Sequence, residues 1–201
     1  MPAAASLSAL GEAAQSCRGC DLYADATQTV FGRGRAHAPM MLVGEQPGDV
    51  EDVEGVAFVG PAGRMLDRAL DDAGIDRDKL YVTNAVKHFH FTQRGKRRLH
   101  QTPQAGHISA CRPWLRAEVE AVGPSLIVCL GATAAKSVLG NEVRVLRDRG
   151  AVLERDSLVG PGAFLVTVHP SAILRTPPEE RTDVLAGFVA DLRVAAGYVA
   201  V

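Results

Sequence analysis

The stretch Met40-Met41-Leu42-Val43-Gly44-Glu45-Gln46-Pro47-Gly48 constrains this chain more than any other. An unbroken apolar run, closed by a turn that holds glycine and proline, reads as a buried strand. Open α/β sheets gather their ligands outside the carboxyl ends of such strands. Glu45 and Gln46 therefore stand where a site is expected, although a solvent-facing turn between strand and helix would look the same from this stretch alone.

The same pattern recurs downstream. Leu80-Tyr81-Val82-Thr83, ending in Asn84, reads as a strand, as do Leu126-Ile127-Val128-Cys129-Leu130 and Phe164-Leu165-Val166-Thr167-Val168, which ends in His169-Pro170-Ser171. Residues 151–154 suit an edge strand. Helices are expected over 5–16, 62–73 (Pro61 in first position, Gly74 as the stop), 103–122, 132–139 and 179–197. Residues 22–38 read as a loop-rich lead-in and the acidic residues 49–54 as exposed. Residues 87–101 read as a loop, because Gly95 interrupts them and no apolar period runs through them. Alternating strands and helices predict an α/β fold: one three-layer α/β/α domain over residues 1–201 around a central, mainly parallel four-stranded sheet. The loops after Val43, Thr83 and Val168 then share one edge and bring Glu45, Gln46, Asn84 and His169 together.

Composition narrows the function class. A chain of 201 residues, 47% hydrophobic and 22% charged, suits a globular domain with a sizeable core. Residues 1–15 are Ala-rich without the basic start of a secretion signal, and no apolar run approaches a membrane span. The expectation is a cytoplasmic protein with no membrane contact, and nothing suggests more than a monomer. The formal net charge of −1 argues against bulk attraction to polyanions. Its distribution is uneven, however: residues 79–117 contain no Asp or Glu, yet hold eight Lys or Arg and four of the six histidines. A local basic patch of this kind fits contact with a phosphate backbone.

Cys17 and Cys20 form a CxxC pair, followed much later by Cys111 and Cys129. Cytoplasmic cysteines seldom form disulfides, which favours a metal or cluster, and both zinc and [4Fe–4S] accept four thiolates. Cys129, inside an apolar strand, also suits a plain core position.

Gly44-Glu45-Gln46-Pro47-Gly48, Phe58-Val59-Gly60-Pro61-Ala62-Gly63, Thr83-Asn84-Ala85-Val86-Lys87 and His169-Pro170-Ser171 together resemble the uracil-DNA glycosylase superfamily, and nearly the whole chain takes part in the resemblance. The likeness is greatest to its iron–sulfur branches, related to the family 4 enzymes. Within these, the Gly-Glu-Gln-Pro-Gly turn and the insertion Lys96-Arg97-Arg98-Leu99-His100 resemble the UdgX type, which removes uracil and stays covalently bonded to the DNA. Leu99 stands where isoleucine is expected, and Ala172 where a second serine is common. The resemblance implies a [4Fe–4S] cluster on Cys17, Cys20, Cys111 and Cys129, tying in the N-terminal segment. It also implies uracil-containing, preferably single-stranded DNA as partner and free uracil as product.

The chemistry suits these residues. Such enzymes take an extruded nucleotide into a tight pocket. The amide of Asn84 matches uracil O4 and N3–H and mismatches cytosine. Phe58 offers a face for stacking, while Gly44 and Gln46 line the pocket. His169 can donate to uracil O2 as negative charge develops on the leaving base. Ile173 and Leu174 resemble an apolar wedge, with Ser171 and Arg175 toward phosphate. The resemblance implies that His100 captures the sugar C1′, oriented by Glu45, while Arg98, Lys96 and Arg97 hold the loop against DNA. Two alternatives stand beside this: a turnover glycosylase in which Glu45 acts through water, and a non-catalytic nucleic-acid-binding iron–sulfur module.

Overall fold

The computed structural model describes residues 6–199. In order, the chain forms α1 (Leu7–Ala14), β1 (Arg33–Gly34), β2 (Met40–Gly44), α2 (Asp49–Glu54), α3 (Pro61–Ala73), β3 (Tyr81–Asn84), β4 (Phe91–Arg94) and β5 (Arg97–His100). There follow α4 (Ala105–Val122), β6 (Leu126–Leu130), α5 (Ala132–Leu139), α6 (Val145–Asp148), β7 (Val152–Arg155), β8 (Gly162–Thr167), α7 (Pro170–Arg175) and α8 (Pro178–Val199). Ala5, at the start of the expected first helix, lies outside the described residues.

The pleat explains the unbroken hydrophobicity of the central strands. Met40 and Leu42, with Leu126, Val128 and Leu165, face one core layer beneath α3 and α8. Met41 and Val43, with Ile127, Cys129, Phe164 and Val166, face the other beneath α4 and α5. Successive side chains on a strand point to opposite faces, so a strand covered by helices on both sides must be apolar at every position. Phe188 and Leu192 of α8 and Leu66 and Leu70 of α3 fill the first layer, and Leu115, Ala134 and Val138 the second. The three-layer α/β/α expectation holds.

The sheet is wider than expected. Among the described residues it has six strands, in the order β1-β3-β2-β6-β8-β7. The four expected strands form its parallel centre, β3-β2-β6-β8; antiparallel β7 is the edge strand expected near residues 151–154, and antiparallel β1 closes the other edge. The two-residue β1 lies in a glycine-rich stretch with no strand pattern to betray it. Gly34, at φ +137, approaches the Leu80 carbonyl so closely that an added Cβ would stand 2.1 Å from that oxygen.

Two further expectations are corrected. Residues 87–101 are no plain loop: β4 and β5 pair as a hairpin, Phe91 opposite His100 and Arg94 opposite Arg97. Gly95, at φ +60, supplies the left-handed position of its two-residue turn. Both strands are largely exposed, so no hydrophobic alternation marked them. The acidic stretch 49–54 forms α2, and Glu51 and Asp52 are buried instead of exposed. Asp52 accepts the Thr27 N–H at 3.1 Å and Glu51 the Gly60 N–H at 2.8 Å, so both act as internal anchors.

Candidate active site

The order of the parallel strands places a switch point between β2 and β6, because the chain leaves β2 for β3 on one side and returns to β6 on the other. Crevices at such points take ligands. Here the carboxyl ends of the strands open onto a cleft of about 860 Å³ whose walls include Glu45, Gln46, Phe58, Asn84, His100 and His169.

Glu45 leaves the end of β2. Its Oε1 lies 3.3 Å from His100 Nε2, and its Oε2 accepts a hydrogen bond from the Thr133 hydroxyl at 2.5 Å. Burial pushes the carboxyl pKa up, but hydrogen bonds from His100 and Thr133, with the nearby His169, outweigh it and hold Glu45 below its ordinary value. His100, on the last position of β5, has a half-exposed side chain and tilts over Phe89, ring centres 6.0 Å apart.

Gln46 sets the position of that hairpin. Its Nε2 donates to the carbonyls of His90 (3.1 Å) and Gln101 (3.0 Å), and its Oε1 accepts the His90 N–H at 3.0 Å. One side-chain amide thus grips both feet of the hairpin, next in sequence to the carboxylate that faces His100. Arg98 holds the other side. Its guanidinium pairs with Asp49 and Asp52 of α2, 2.5 Å each, and lies over the rings of Phe89 and Phe91. Arg98 therefore binds inward, whereas Lys96 and Arg97 at the hairpin tip are exposed.

The floor of the cleft is Asn84, almost wholly buried, with an Oδ1 that has no hydrogen-bond partner among the described residues. An orphaned buried acceptor costs about 1–3 kcal/mol and invites a ligand donor. Gly44 makes room for it, since a Cβ there would stand 2.4 Å from Asn84 Oδ1 and 2.4 Å from Phe58 Cζ. Phe58 holds a left-handed φ of 55°, an uncommon state for a bulky residue. Arg77 Nη2 on its carbonyl (3.0 Å) keeps it there, and Gly63 packs against that same carbonyl, where a Cβ would clash at 2.1 Å.

His169 caps α7 opposite. The Ser171 N–H donates to its Nδ1 at 3.2 Å, so the neutral ring carries its proton on Nε2. Arg175 donates to Ser171 Oγ at 2.9 Å, and that hydroxyl lies 2.8 Å from Nδ1. Burial above all, with Arg175 and His100 adding to it against the pull of Glu45, holds the imidazole down at about 4. Ser171 and Arg175 are thus tied to His169. Of the expected wedge, Ile173 is fully buried in the core and only Leu174 is exposed.

Cys17, Cys20, Cys111 and Trp114 share a separate cluster beside α1 and α4. Indole Nε1 of Trp114 donates to Cys17 Sγ (3.1 Å) and the Lys87 N–H to Cys111 Sγ (3.2 Å). Burial pushes the Cys111 thiol up to about 11, with Cys20 and Cys17 adding to it and Lys87 opposing. Donors aimed at these two sulfurs suit thiolates bound to an iron–sulfur group. No trio of His, Cys, Asp or Glu among the described residues is close enough for a single metal ion. The structure does not bring Cys129 to the other three cysteines: it lies in the core layer with Met41, Val43 and Ala134, and burial drives its thiol to about 12.

His88 was missed in the sequence. Thr29 donates its hydroxyl proton to the Ala14 carbonyl (2.9 Å), so its oxygen accepts from His88 Nε2 (2.9 Å). The His88 Nδ1 lone pair is then left buried without a partner among the described residues, one residue beyond the Cys111 contact of Lys87. Its only signal in the sequence is its place after Lys87. Thr133 had none, because its partner comes from another strand.

The profile of the uracil DNA glycosylase superfamily matches residues 31–193. The type-4 uracil-DNA glycosylase of Thermotoga maritima is 33% identical over 172 residues, covering 85% of this chain and 84% of that protein. That of Archaeoglobus fulgidus is 34% identical over 166 residues, 81% of this chain and 80% of the relative. A DNA polymerase of Bacillus phage SP01 is 27% identical over 169 residues, which cover 84% of this chain but 16% of the polymerase. With a cleft built at the switch point of the sheet and matches running nearly its full length, this chain belongs to the uracil-DNA glycosylase superfamily.

Proposed function

We propose that this protein is a DNA glycosylase that excises uracil, preferentially from single-stranded DNA, and captures the sugar through His100. The carrying observation is the pairing of His100 with Glu45, 3.3 Å apart, at the wall of a cleft floored by the unpartnered Asn84. Asn84 Oδ1 would accept uracil N3–H and its amide N–H would donate to O4, a pattern that cytosine reverses. When the N-glycosidic bond breaks, its electron pair goes to uracil N1 and spreads to O2. The Nε2–H of neutral His169 would meet that charge, a stabilisation realised only as the bond opens.

The sugar is left as a cation at C1′. His100 offers an imidazole lone pair, forming the bond to C1′, and the ring N–H made acidic by that bond passes to Glu45. Lys96 and Arg97 supply exposed charge for the phosphates around this site.

Cys17, Cys20 and Cys111, clustered beside α1 and α4, would hold an iron–sulfur cluster, with His88 Nδ1 as the available fourth donor. It would tie residues before β1 to α4 and add local charge beside the DNA-binding face. Uracil release needs no electron transfer.

The test is a denaturing gel after incubation with a uracil-containing single-stranded oligonucleotide. A slow band that survives heat and detergent, absent with thymine, is expected. His100→Ser should abolish the band yet release uracil and turn over. A band retained in that variant would remove His100 from the nucleophile role, and free abasic product from the unaltered protein would assign Glu45 an attacking water.

A further inference from the structure

We propose that Thr133 is a positioning residue for Glu45: its hydroxyl anchors one carboxylate oxygen so that the other faces the reacting group. This rests on the reading of Glu45 as the active-site carboxylate. Glu45 comes from the end of β2 and Thr133 from the first turn of α5, after the neighbouring strand β6. The hydrogen bond from Thr133 Oγ1 to Oε2 spans the switch point at 2.5 Å, and Oε1 is left toward His100 at 3.3 Å.

Two features make Thr133 a fixed anchor. Its residue surface is 8% exposed, so the hydroxyl lacks the freedom of a surface side chain. The turn before it is pinned against the site: Gly131 holds φ +89, and a Cβ there would stand 2.9 Å from His169 Cβ. The Gly131 N–H donates to the Thr167 carbonyl at 2.9 Å, which ties the start of α5 to the end of β8, the strand that leads into His169. A carboxylate at a strand end otherwise swings about its terminal torsion, which is broad. Tethering Oε2 removes that freedom before substrate arrives.

The hydroxyl also keeps the carboxylate ionised. The polar groups that face Glu45 are His100 from β5, Thr133 from α5 and His169 at the cap of α7, and Asp49 and Glu51 of α2 line the same cleft. Burial favours the protonated acid, which can neither orient a ring N–H nor accept its proton; the donors oppose that.

The test is single-turnover uracil release from a uracil-containing single-stranded oligonucleotide between about pH 5 and 9, with adduct scored separately. Thr133→Val removes the hydroxyl at nearly constant volume and Thr133→Ser retains it. For Thr133→Val the acid limb should shift up by about one pH unit, so that the rate falls a few fold near pH 5 and much less at alkaline pH, the size of one hydrogen bond to a charged group. The DNA concentration giving half-maximal rate should not change, Thr133→Ser should follow the unaltered profile, and in a Glu45→Gln background Thr133→Val should add no further loss. An unchanged acid limb, or an equal loss in the Glu45→Gln background, would overturn the assignment. Uracil release without adduct would remove the His100 reading alone, and the acid-limb shift would still establish Thr133. A protein that releases no uracil would overturn both.

Discussion

At the scale of single residues, His169 shows how one backbone N–H decides a tautomer. The Ser171 amide occupies Nδ1, so the only proton of the neutral ring sits on Nε2, where a leaving base would need a donor. The same burial that fixes this state costs stability in acid. With a folded pKa of about 4 against an ordinary 6.5, the unfolded chain takes up a proton between those values and the folded protein does not. Stability is therefore whole above pH 6.5 and declines as the pH falls toward 4, by up to about 3 kcal/mol from this one group. His169→Gln should flatten that decline, read as the pH dependence of urea midpoints for the two proteins. Equal slopes below pH 6.5 would show that His169 takes its proton freely in the fold. Glu45, Asn84 and His169 were legible in the sequence because each follows an unmistakable strand. Thr133 and His88 were not, since their partners are set by strand order and by the path of the N-terminal segment.

At the scale of elements, the β4–β5 hairpin carries the least regular part of the site on two fixed anchors. Gln46 grips its feet and Arg98 ties its second strand to Asp49 and Asp52 of α2. Such a fork of charge-assisted bonds positions more than a point charge could. Arg98→Ala should leave Asp52 buried without its cation, destabilise the protein by about 2–3 kcal/mol and, on the proposed capture by His100, slow adduct formation about tenfold as His100 loses its register with Glu45. Faster amide exchange confined to residues 91–100 would identify the hairpin as what loosens. Unchanged exchange there, with adduct formation intact, would mean that Gln46 suffices alone. The hairpin escaped the sequence reading because it buries neither face, so no period marked it. The central strands were readable for the opposite reason: burial on both faces leaves no polar position.

At the scale of the whole molecule, the acid-free window of residues 79–117 is not acid-free in space. Of its cations, Arg98 meets carboxylates from α2, and Lys87 is buried against Glu118, just beyond the window. Lys87 also donates to Thr83 Oγ1 (2.7 Å) and the Asn84 carbonyl (2.8 Å), while Glu118 accepts from Tyr81, Thr83 and the Gly32 N–H. The exposed positive charge is correspondingly smaller than the count suggested. This network joins the floor of the cleft to the cysteine cluster, because the N–H of the same Lys87 reaches Cys111. Removing one member of such a pair strands the other charge, at about 3–5 kcal/mol, whereas replacing both with apolar groups of similar size is often near neutral. Lys87→Met should therefore lower the denaturant midpoint sharply, and Lys87→Met with Glu118→Leu should recover much of the loss. The recovered double variant should still discriminate uracil from cytosine less well, because the Asn84 carbonyl has lost its tether to a buried ammonium. If the double variant is no more stable than Lys87→Met alone, the pair is net stabilising and the network is part of what holds the fold. If stability returns with discrimination intact, Asn84 is held by the strand alone.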